Sequence, residues 1–245
     1  MEIRPGIHRI PGLKISNAYL LEDSDSLTLI DAGLPWDRSK IFRYIESIGR
    51  NPEELERILL THSHPDHTGP LPDLCRVTGA LVSIHPDDTR GEAARDRRWL
   101  HYFGQVPLPF WNVPLFRRIY YDDSLRDGQA LPVMGGLRVI HTPGHTPGSV
   151  CFYLEAEGVL FAGDMFLSNG SDLRRPVYFP GTNLREYRAS IERLVRIPFE
   201  TACVGHGRPL MTGGTRRLEE MLDDYNWLAP RWKSLKGWAR SRVGL

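Results

Sequence analysis

Residues 61–69 read Thr-His-Ser-His-Pro-Asp-His-Thr-Gly, and this stretch carries the strongest information about the fold. Four side chains within six positions can bind a metal ion: His62, His64, Asp66 and His67. Imidazole and carboxylate groups are ligands for zinc, iron or manganese. The apolar residues 58–60 directly before it are typical of the end of a buried strand. Because α/β folds place ligands in loops that follow strands, the stretch predicts a metal site at a sheet edge.

Three later strand-like runs also end in a metal-capable side chain next to glycine: His145, Asp164 and His206. Glycine and proline in these loops permit tight backbone paths that can bring distant segments together. One histidine taken alone is more often a buried structural residue, but seven such side chains at strand ends favour a metal site. The remaining histidines have no such context and are left out of the ligand set: His8, His85, His101 and His141.

The composition is that of an ordinary globular protein, with 245 residues, 41% hydrophobic and 25% charged. Lys and Arg total 31 against 30 for Asp and Glu, so no basic field favours nucleic acid as a partner. The first residues lack the apolar core of a secretory signal, and no apolar run approaches the ~18 residues of a membrane span. Cys75, Cys151 and Cys203 are far apart and odd in number, which is typical of reduced thiols. We expect a cytoplasmic protein that acts on a small molecule, with no nucleic-acid or membrane partner.

The same order of strand, polar loop and helix occurs in both halves of the chain. Ile41, Ile45 and Ile48 have the spacing of a helix face. Strands are predicted at 27–30, 81–84, 137–140, 150–154, 159–162 and 201–204. Strands that alternate with helices, with hairpins mixed in, favour a sandwich of sheets flanked by helices. We assign residues 1–245 to a single domain of this kind.

Two segments depart from that order. An aromatic-rich insertion over about 88–125 contains several prolines, and we predict that it forms a wall or lid over a substrate. The alternative is an insertion that packs its own small core. A second segment, about 215–241, has an apolar stripe at helical spacing with basic residues around it. We predict a C-terminal helix that docks on the domain or on a second subunit of a homodimer, in preference to a helix on a membrane surface.

The spaced ligand pattern resembles the metallo-β-lactamase superfamily, a broad set of metal-dependent hydrolases and some oxidoreductases. His-x-His-x-Asp-His, followed at long spacings by His, Asp and His, matches in full and in order. The resemblance implies a four-layer αββα sandwich of the α/β class. It implies one metal on His62, His64 and His145. It implies a second metal on Asp66, His67 and His206. Asp164 would bridge the two metals, and Asp31, in an Asp-x-Gly position, would support the histidine loop from outside the ligand set.

The implied chemistry is hydrolysis by a dinuclear metal centre. Two divalent ions, with zinc expected and iron or manganese as alternatives, can hold a bridging hydroxide at neutral pH. The hydroxide would attack a small or medium ester, lactone or thioester. Asp66 is the catalytic candidate, because its carboxylate could orient the hydroxide and move its proton.

Individual branches of the superfamily fit less well. Glyoxalase II enzymes resemble the chain around residues 141–146, but the Gly-Cys-Gly-Arg-like stretch that they carry after the bridging aspartate is replaced here by Ser-Asn-Gly-Ser-Asp at 168–172. Only 39 residues, 207–245, follow His206, too few for the helical glutathione-binding domain of the longer glyoxalases. N-acyl homoserine lactonases carry an active-site tyrosine where this chain has Leu167.

The sequence therefore leaves the substrate open. The candidates for substrate contacts are aromatic or basic: Phe110, Trp111, Arg174 and Tyr178. Two other classes remain as alternatives to a hydrolase. One is an oxidoreductase with a single iron, similar to persulfide dioxygenases, and the other is a non-catalytic metal-binding protein.

Overall fold

The computed structural model describes residues 1–89, 121–176, 178 and 181–223. Most of the predicted aromatic insertion, including Phe110 and Trp111, lies outside these residues. The predicted C-terminal helix lies partly outside them, because the description ends at Asp223. None of the helices in the described ranges has the length and apolar character that crossing a membrane requires.

The first sheet has seven strands in sequential order. They are β1 (Glu2–Arg4), β2 (Ile7–Arg9), β3 (Tyr19–Glu22), β4 (Leu27–Ile30), β5 (Leu55–Leu59), β6 (Leu81–Ile84) and β7 (Asp123–Ser124). The first four strands pair antiparallel, and β4 to β7 pair parallel. The carboxyl ends of β4, β5 and β6 therefore lie at one edge of this sheet.

A second sheet of five strands has the order β14-β11-β10-β9-β8. Its strands are β8 (Ala130–Leu131), β9 (Leu137–His141), β10 (Val150–Leu154), β11 (Val159–Gly163) and β14 (Thr201–Val204). A small third sheet is formed by β12 (Leu167–Asn169), β13 (Leu173–Arg174) and β15 (Gly207–Arg208). The predicted strands at 150–154 and 159–162 form the antiparallel hairpin β10–β11, and β11 pairs parallel with β14.

Five α-helices lie in the described ranges. They are α1 (Arg38–Ser47), α2 (Pro65–Thr68), α3 (Leu71–Thr78), α4 (Leu184–Leu194) and α5 (Gly214–Asp223). Helix α1 buries Ile41 and Ile45, as the isoleucine spacing predicts. Helix α4 begins at Asn183, whose side chain accepts hydrogen bonds from two backbone N–H groups of its first turn.

Successive strand side chains lie on opposite faces of the sheets, and the described interior is divided into three apolar clusters. In β10, Val150, Phe152 and Leu154 face a cluster that both large sheets share. Cys151 and Tyr153, between them, face a cluster formed with helices α4 and α5. A third cluster lies between the first sheet and helices α1 and α3. Three clusters between successive layers make four layers, so the predicted αββα sandwich is confirmed.

The shared cluster is expected to dominate stability. Phe152 is fully buried there and pairs across strands with Val139 and Phe161. We expect Phe152→Ala to lower the free energy of unfolding by about 3–5 kcal/mol, because the substitution removes buried contacts and leaves a cavity. Urea unfolding of the metal-free protein measures this change. Val77→Ala, at a side chain that is 43% exposed, is the control and should change stability by less than about 0.5 kcal/mol. A Phe152→Ala loss below about 1 kcal/mol would contradict the assignment of this core.

Candidate metal centre

The seven predicted ligands meet at one edge of the sandwich. The loop 61–69 follows β5 of the first sheet, and the other three loops follow β9, β11 and β14 of the second. Strand ends from both sheets thus supply the site. The structure sorts the side chains into two neighbouring groups, and in each group the candidate ligand atoms lie within 4.8 Å of one another. The first group is His62, His64, His145 and Asp164. The second group is Asp66, His67 and His206.

The first group directs ring nitrogens at a common point. His64 Nδ1 lies 2.9 Å from His62 Nε2 and 3.0 Å from His145 Nε2. Burial is the largest effect on all three rings, and it lowers the pKa of His62, His64 and His145. Neutral imidazoles carry the lone pairs that a metal needs, so this group is prepared for a cation at neutral pH.

The second group carries more negative charge. His206 Nε2 lies 3.4 Å from Asp66 Oδ2, and His67 Nε2 lies 3.8 Å from the same oxygen. Burial by itself would lower the pKa of His67, but the carboxylates of Asp31, Asp164 and Asp66 together raise it well above its usual value. The field that holds a proton on this ring also attracts a metal cation, which would compete with that proton.

Asp164 stands between the two groups. Its Oδ2 lies 3.5 Å from His145 Nε2 and 3.1 Å from His206 Nε2, while its Oδ1 lies 3.4 Å from His67 Nε2. Burial would raise the pKa of this carboxyl, but His206 and His67 hold it well below its usual range. Its buried Oδ1 accepts no hydrogen bond from any described residue. A buried anionic oxygen that accepts no hydrogen bond and lies among histidine nitrogens is consistent with a site for a pair of metal cations.

Space around this carboxylate is tight. A Cβ added at Gly205 would lie 2.1 Å from Asp164 Oδ1 and 2.9 Å from His67 Cε1. Only glycine at this position lets the β14 loop approach the carboxylate closely.

Asp31 determines which nitrogen of two histidines carries the proton. Its Oδ2 lies 2.8 Å from His67 Nδ1 and 2.8 Å from Thr61 Oγ1, and its Oδ1 accepts from the Thr61 backbone N–H at 2.9 Å. A carboxylate only accepts, so the Thr61 hydroxyl donates its single proton to Asp31. That hydroxyl must then accept from His62 Nδ1–H, 2.9 Å away. Both rings therefore direct Nε2 into the site, as the nitrogen that would bind a metal.

His206 is oriented in the same way by the first part of the chain. Its Nδ1 donates to the backbone oxygen of Ile15 at 2.8 Å, so Nε2, the nitrogen that faces Asp66 and Asp164, is the atom that would bind a metal in place of a proton. Asp31 itself has φ of 56°, in the left-handed region, which Asp tolerates better than most residues. The predicted supporting role of Asp31 thus has a defined geometry.

A third histidine cluster has a different geometry. His85, Asp87 and His141 lie close together, but the two rings stack with centroids 4.0 Å apart and planes within 9°. Parallel stacked rings cannot direct in-plane lone pairs at one ion. His141 Nε2 also donates to the Pro147 oxygen, and His85 Nδ1 accepts from the Asp87 N–H. We therefore keep these residues out of the ligand set, as the sequence indicated.

The substrate candidates are less well placed by the structure. Arg174 is exposed at the end of β13. Tyr178 is half-buried, and its ring packs edge-on against Tyr187 at 5.7 Å between centroids. Their contact with a substrate remains a prediction. The sequence did not single out Thr61 as a supporting residue, although Thr61 directly precedes the first histidine of the motif.

A four-layer sandwich with paired His/Asp groups at one edge defines a class of metal-binding proteins. The sequence model of the metallo-beta-lactamase superfamily matches residues 11–206, a span that contains all seven residues of the two groups. The chain belongs to the metallo-beta-lactamase superfamily.

Solved structures agree with this assignment. A metallo-beta-lactamase family protein from Thermus thermophilus has a TM-score of 0.73 and 30% identity, with 91% of this chain and 80% of that chain covered. The protein TTHA1623, solved in a di-iron-bound form, has a TM-score of 0.64 and 28% identity, with 86% of this chain and 96% of that chain covered.

Relatives by sequence include bacterial and fungal proteins. An uncharacterized protein of Bacillus subtilis, YobT, is 31% identical over 220 residues, which are 84% of this chain and 89% of that protein. An atrochrysone carboxyl ACP thioesterase of Aspergillus fumigatus is 33% identical over 162 residues, which are 65% of this chain and 31% of that enzyme. The chain thus spans less than a third of this fungal relative.

Proposed function

We propose that this chain is a dinuclear metal-dependent hydrolase that acts on a small or medium ester, lactone or thioester. The observation that carries the proposal is the position of Asp164, whose carboxylate oxygens face histidines of both groups at 3.1–3.5 Å. A single carboxylate that faces both sets of candidate ligands fits a site for two metal ions. The proposal assigns the first group to one metal and the second group to the other.

The residues of the two groups have different roles in the proposed hydrolysis. When bound, the two metals would supply a hydroxide nucleophile at neutral pH and positive charge for a developing oxyanion. The neutral rings of the first group provide lone pairs. Asp31 fixes the tautomer of one ring in each group, His62 through the Thr61 hydroxyl and His67 directly. Asp66 is partly exposed, with 21% of its side chain accessible, and its Oδ2 faces His206. We propose that the Asp66 carboxylate receives the proton released during hydrolysis and passes it to solvent.

The thioester is the substrate class that we favour within this proposal. The support is the name of the fungal relative, an atrochrysone carboxyl ACP thioesterase. Zinc is the proposed metal; the di-iron-bound neighbour keeps iron as the alternative. A small-molecule substrate, the absence of nucleic-acid and membrane partners, a cytoplasmic location and a homodimer remain predictions from the sequence.

Metal content and substrate range test the proposal together. Protein purified anaerobically should hold about two metal ions per chain, and a panel of thioesters, lactones, esters and persulfides should show hydrolysis of at least one ester-like class. Prolonged chelation should abolish turnover, and added Zn²⁺ should restore it. His64→Ala should lose more than about 100-fold in activity, the upper limit typical of outer hydrogen-bond partners of metal ligands.

The control for this variant is His8→Ala, a buried histidine of β2 that contacts Tyr44 and Glu22 and lies outside the two groups. It should keep two metals and nearly full activity. Full metal content and activity in His64→Ala would contradict the ligand assignment. One iron per chain with thiol-dependent oxygen consumption would identify an oxidoreductase instead, and tightly bound metal without turnover on any substrate would identify a binding protein.

A further inference from the structure

Asp88 connects two loops that carry the first group. It lies in the short 3-10 turn Pro86–Asp88 after β6, and only 1% of its surface is exposed. Its Oδ2 accepts from the Ser63 N–H at 2.8 Å and from Thr146 Oγ1 at 2.9 Å. Its Oδ1 accepts from the Gly148 N–H at 2.6 Å. Three donors from two distant loops thus converge on one buried carboxylate.

The donors are adjacent to metal-ligand candidates. Ser63 lies between His62 and His64, and Thr146 directly follows His145. The first two histidines come from the first sheet and the third comes from the second sheet. Asp88 therefore bridges the two sheets at the point where the three rings of the first group must converge.

The second group has a separate set of supports, in the segment 15–17. The Ile15 oxygen accepts from His206 Nδ1, and the Ser16 hydroxyl donates to the backbone oxygen of Asp66. Asn17 donates through its backbone N–H to the Gly205 oxygen at 2.7 Å. Its side-chain amide donates to the oxygens on either side of the His206 loop, those of Val204 and Gly207, at 2.7 and 3.0 Å.

We propose that Asp88 positions the ligands of the first metal and that the segment 15–17 independently positions those of the second. The inference rests on the proposed function, since it takes the two groups as metal sites. Asp88 and the segment 15–17 contact the 61–69 loop at different places, Ser63 and Asp66, and each also holds a second loop that the other does not contact, so loss of one set is expected to release one group. Hydrogen-bond partners behind metal ligands typically contribute about 10–100-fold in metal affinity. Loss of one set of supports should therefore weaken the binding of one metal and leave the affinity for the other metal unchanged.

Substitution at Asp88 has a clear physical consequence. Asn at this position offers one acceptor oxygen where a carboxylate offers two, and its NH₂ would face a donor. At least one of the three donors then loses its partner in a buried place. Ser16→Ala removes one donor to the Asp66 oxygen and leaves the first group untouched.

The experiment separates the groups by using two backgrounds of the full-length chain. His206→Ala weakens the second group and reports on the first, and His64→Ala weakens the first and reports on the second. Zn²⁺ affinity of the metal-free proteins is measured by competition with a chromophoric chelator. In the His206→Ala background we expect Asp88→Asn to weaken Zn²⁺ binding about 10–100-fold and Ser16→Ala to change it less than about 3-fold. In the His64→Ala background we expect the opposite: Ser16→Ala should weaken Zn²⁺ binding about 10–100-fold, and Asp88→Asn should change it less than about 3-fold.

Asp37→Asn is the matched control. Asp37 is buried to the same degree as Asp88, and it accepts from the Leu34 N–H and from Lys40 Nζ at the start of α1. It should leave Zn²⁺ affinity within about 3-fold in both backgrounds, because it contacts neither group. If Asp88→Asn fails to fold, Thr146→Val replaces it, because that variant removes a single donor to Asp88 and should weaken the first group by up to about 10-fold.

The outcomes distinguish the two proposals. Wild-type protein that bound no Zn²⁺, iron or manganese would overturn the proposed function and this inference together. Wild-type protein with two metals, combined with an Asp88→Asn effect of equal size on both groups or on neither, would overturn this inference alone. Circular dichroism and thermal unfolding of the metal-free variants serve as the structural readout; equal unfolding temperatures with unequal Zn²⁺ affinities support positioning.

Discussion

Replacing Asp164 with alanine is expected to abolish measurable hydrolysis and to lower the metal content below two ions per chain. The carboxylate contributes to both groups, with oxygens 3.1 Å from His206 Nε2, 3.4 Å from His67 Nε2 and 3.5 Å from His145 Nε2. Its removal reduces the seven candidate ligands to six and takes away the negative charge between two cations. The loss in kcat/KM should exceed the ~100-fold typical of outer hydrogen-bond partners.

Metal analysis and steady-state kinetics measure this effect on the same preparation. Asp172→Ala is the control, because that aspartate is a partly exposed residue paired with Arg217 at 3.3 Å, away from the two groups. Retention of two metals and more than a tenth of the activity in Asp164→Ala would contradict the bridging role.

Replacing Asp31 with asparagine is expected to lower kcat/KM by about 100-fold while the fold is kept. If the Asn oxygen keeps accepting from the Thr61 N–H, the NH₂ group donates to His67 Nδ1 and to the Thr61 hydroxyl. The hydroxyl is then released to donate to His62 Nδ1. Both rings would carry their proton on Nε2, the atom that faces the site, and one histidine of each group would lose its lone pair for the metal.

Thr61→Val provides the matched comparison. It removes the hydroxyl between Asp31 and His62, but leaves the contact between Asp31 and His67 at 2.8 Å. We expect a smaller loss of Zn²⁺ affinity that is confined to the first group, whereas Asp31→Asn weakens both groups. Equal Zn²⁺ affinities of Asp31→Asn and wild-type protein would show that the tautomers are set in another way.

Local sequence was sufficient to predict the longer helices and strands, but not the two-residue strands β7, β8, β13 and β15. The isoleucines of α1 repeat at helical spacing, and β10 alternates between two clusters along successive residues. Both patterns follow from geometry over a few residues, so they can be predicted from nearby residue types. Assembly into the αββα sandwich followed only with the family resemblance, because strand runs alone do not specify which sheets face each other.

The sequence by itself determined the seven candidate ligands. The motif His-x-His-x-Asp-His and the three later strand ends can be identified from residue types and spacings alone. The supporting contacts were decided only by the tertiary structure. Asp88 meets Thr146 from 58 positions away, and the Asn17 side chain meets the Val204 oxygen from 187 positions away. Local sequence patterns do not predict such contacts, because the contacts form only when the layers pack and bring the loop ends together. The ligand motif therefore indicated the chemistry, and the family resemblance implied the division into two groups, while ring tautomers and loop connections came from the packed fold.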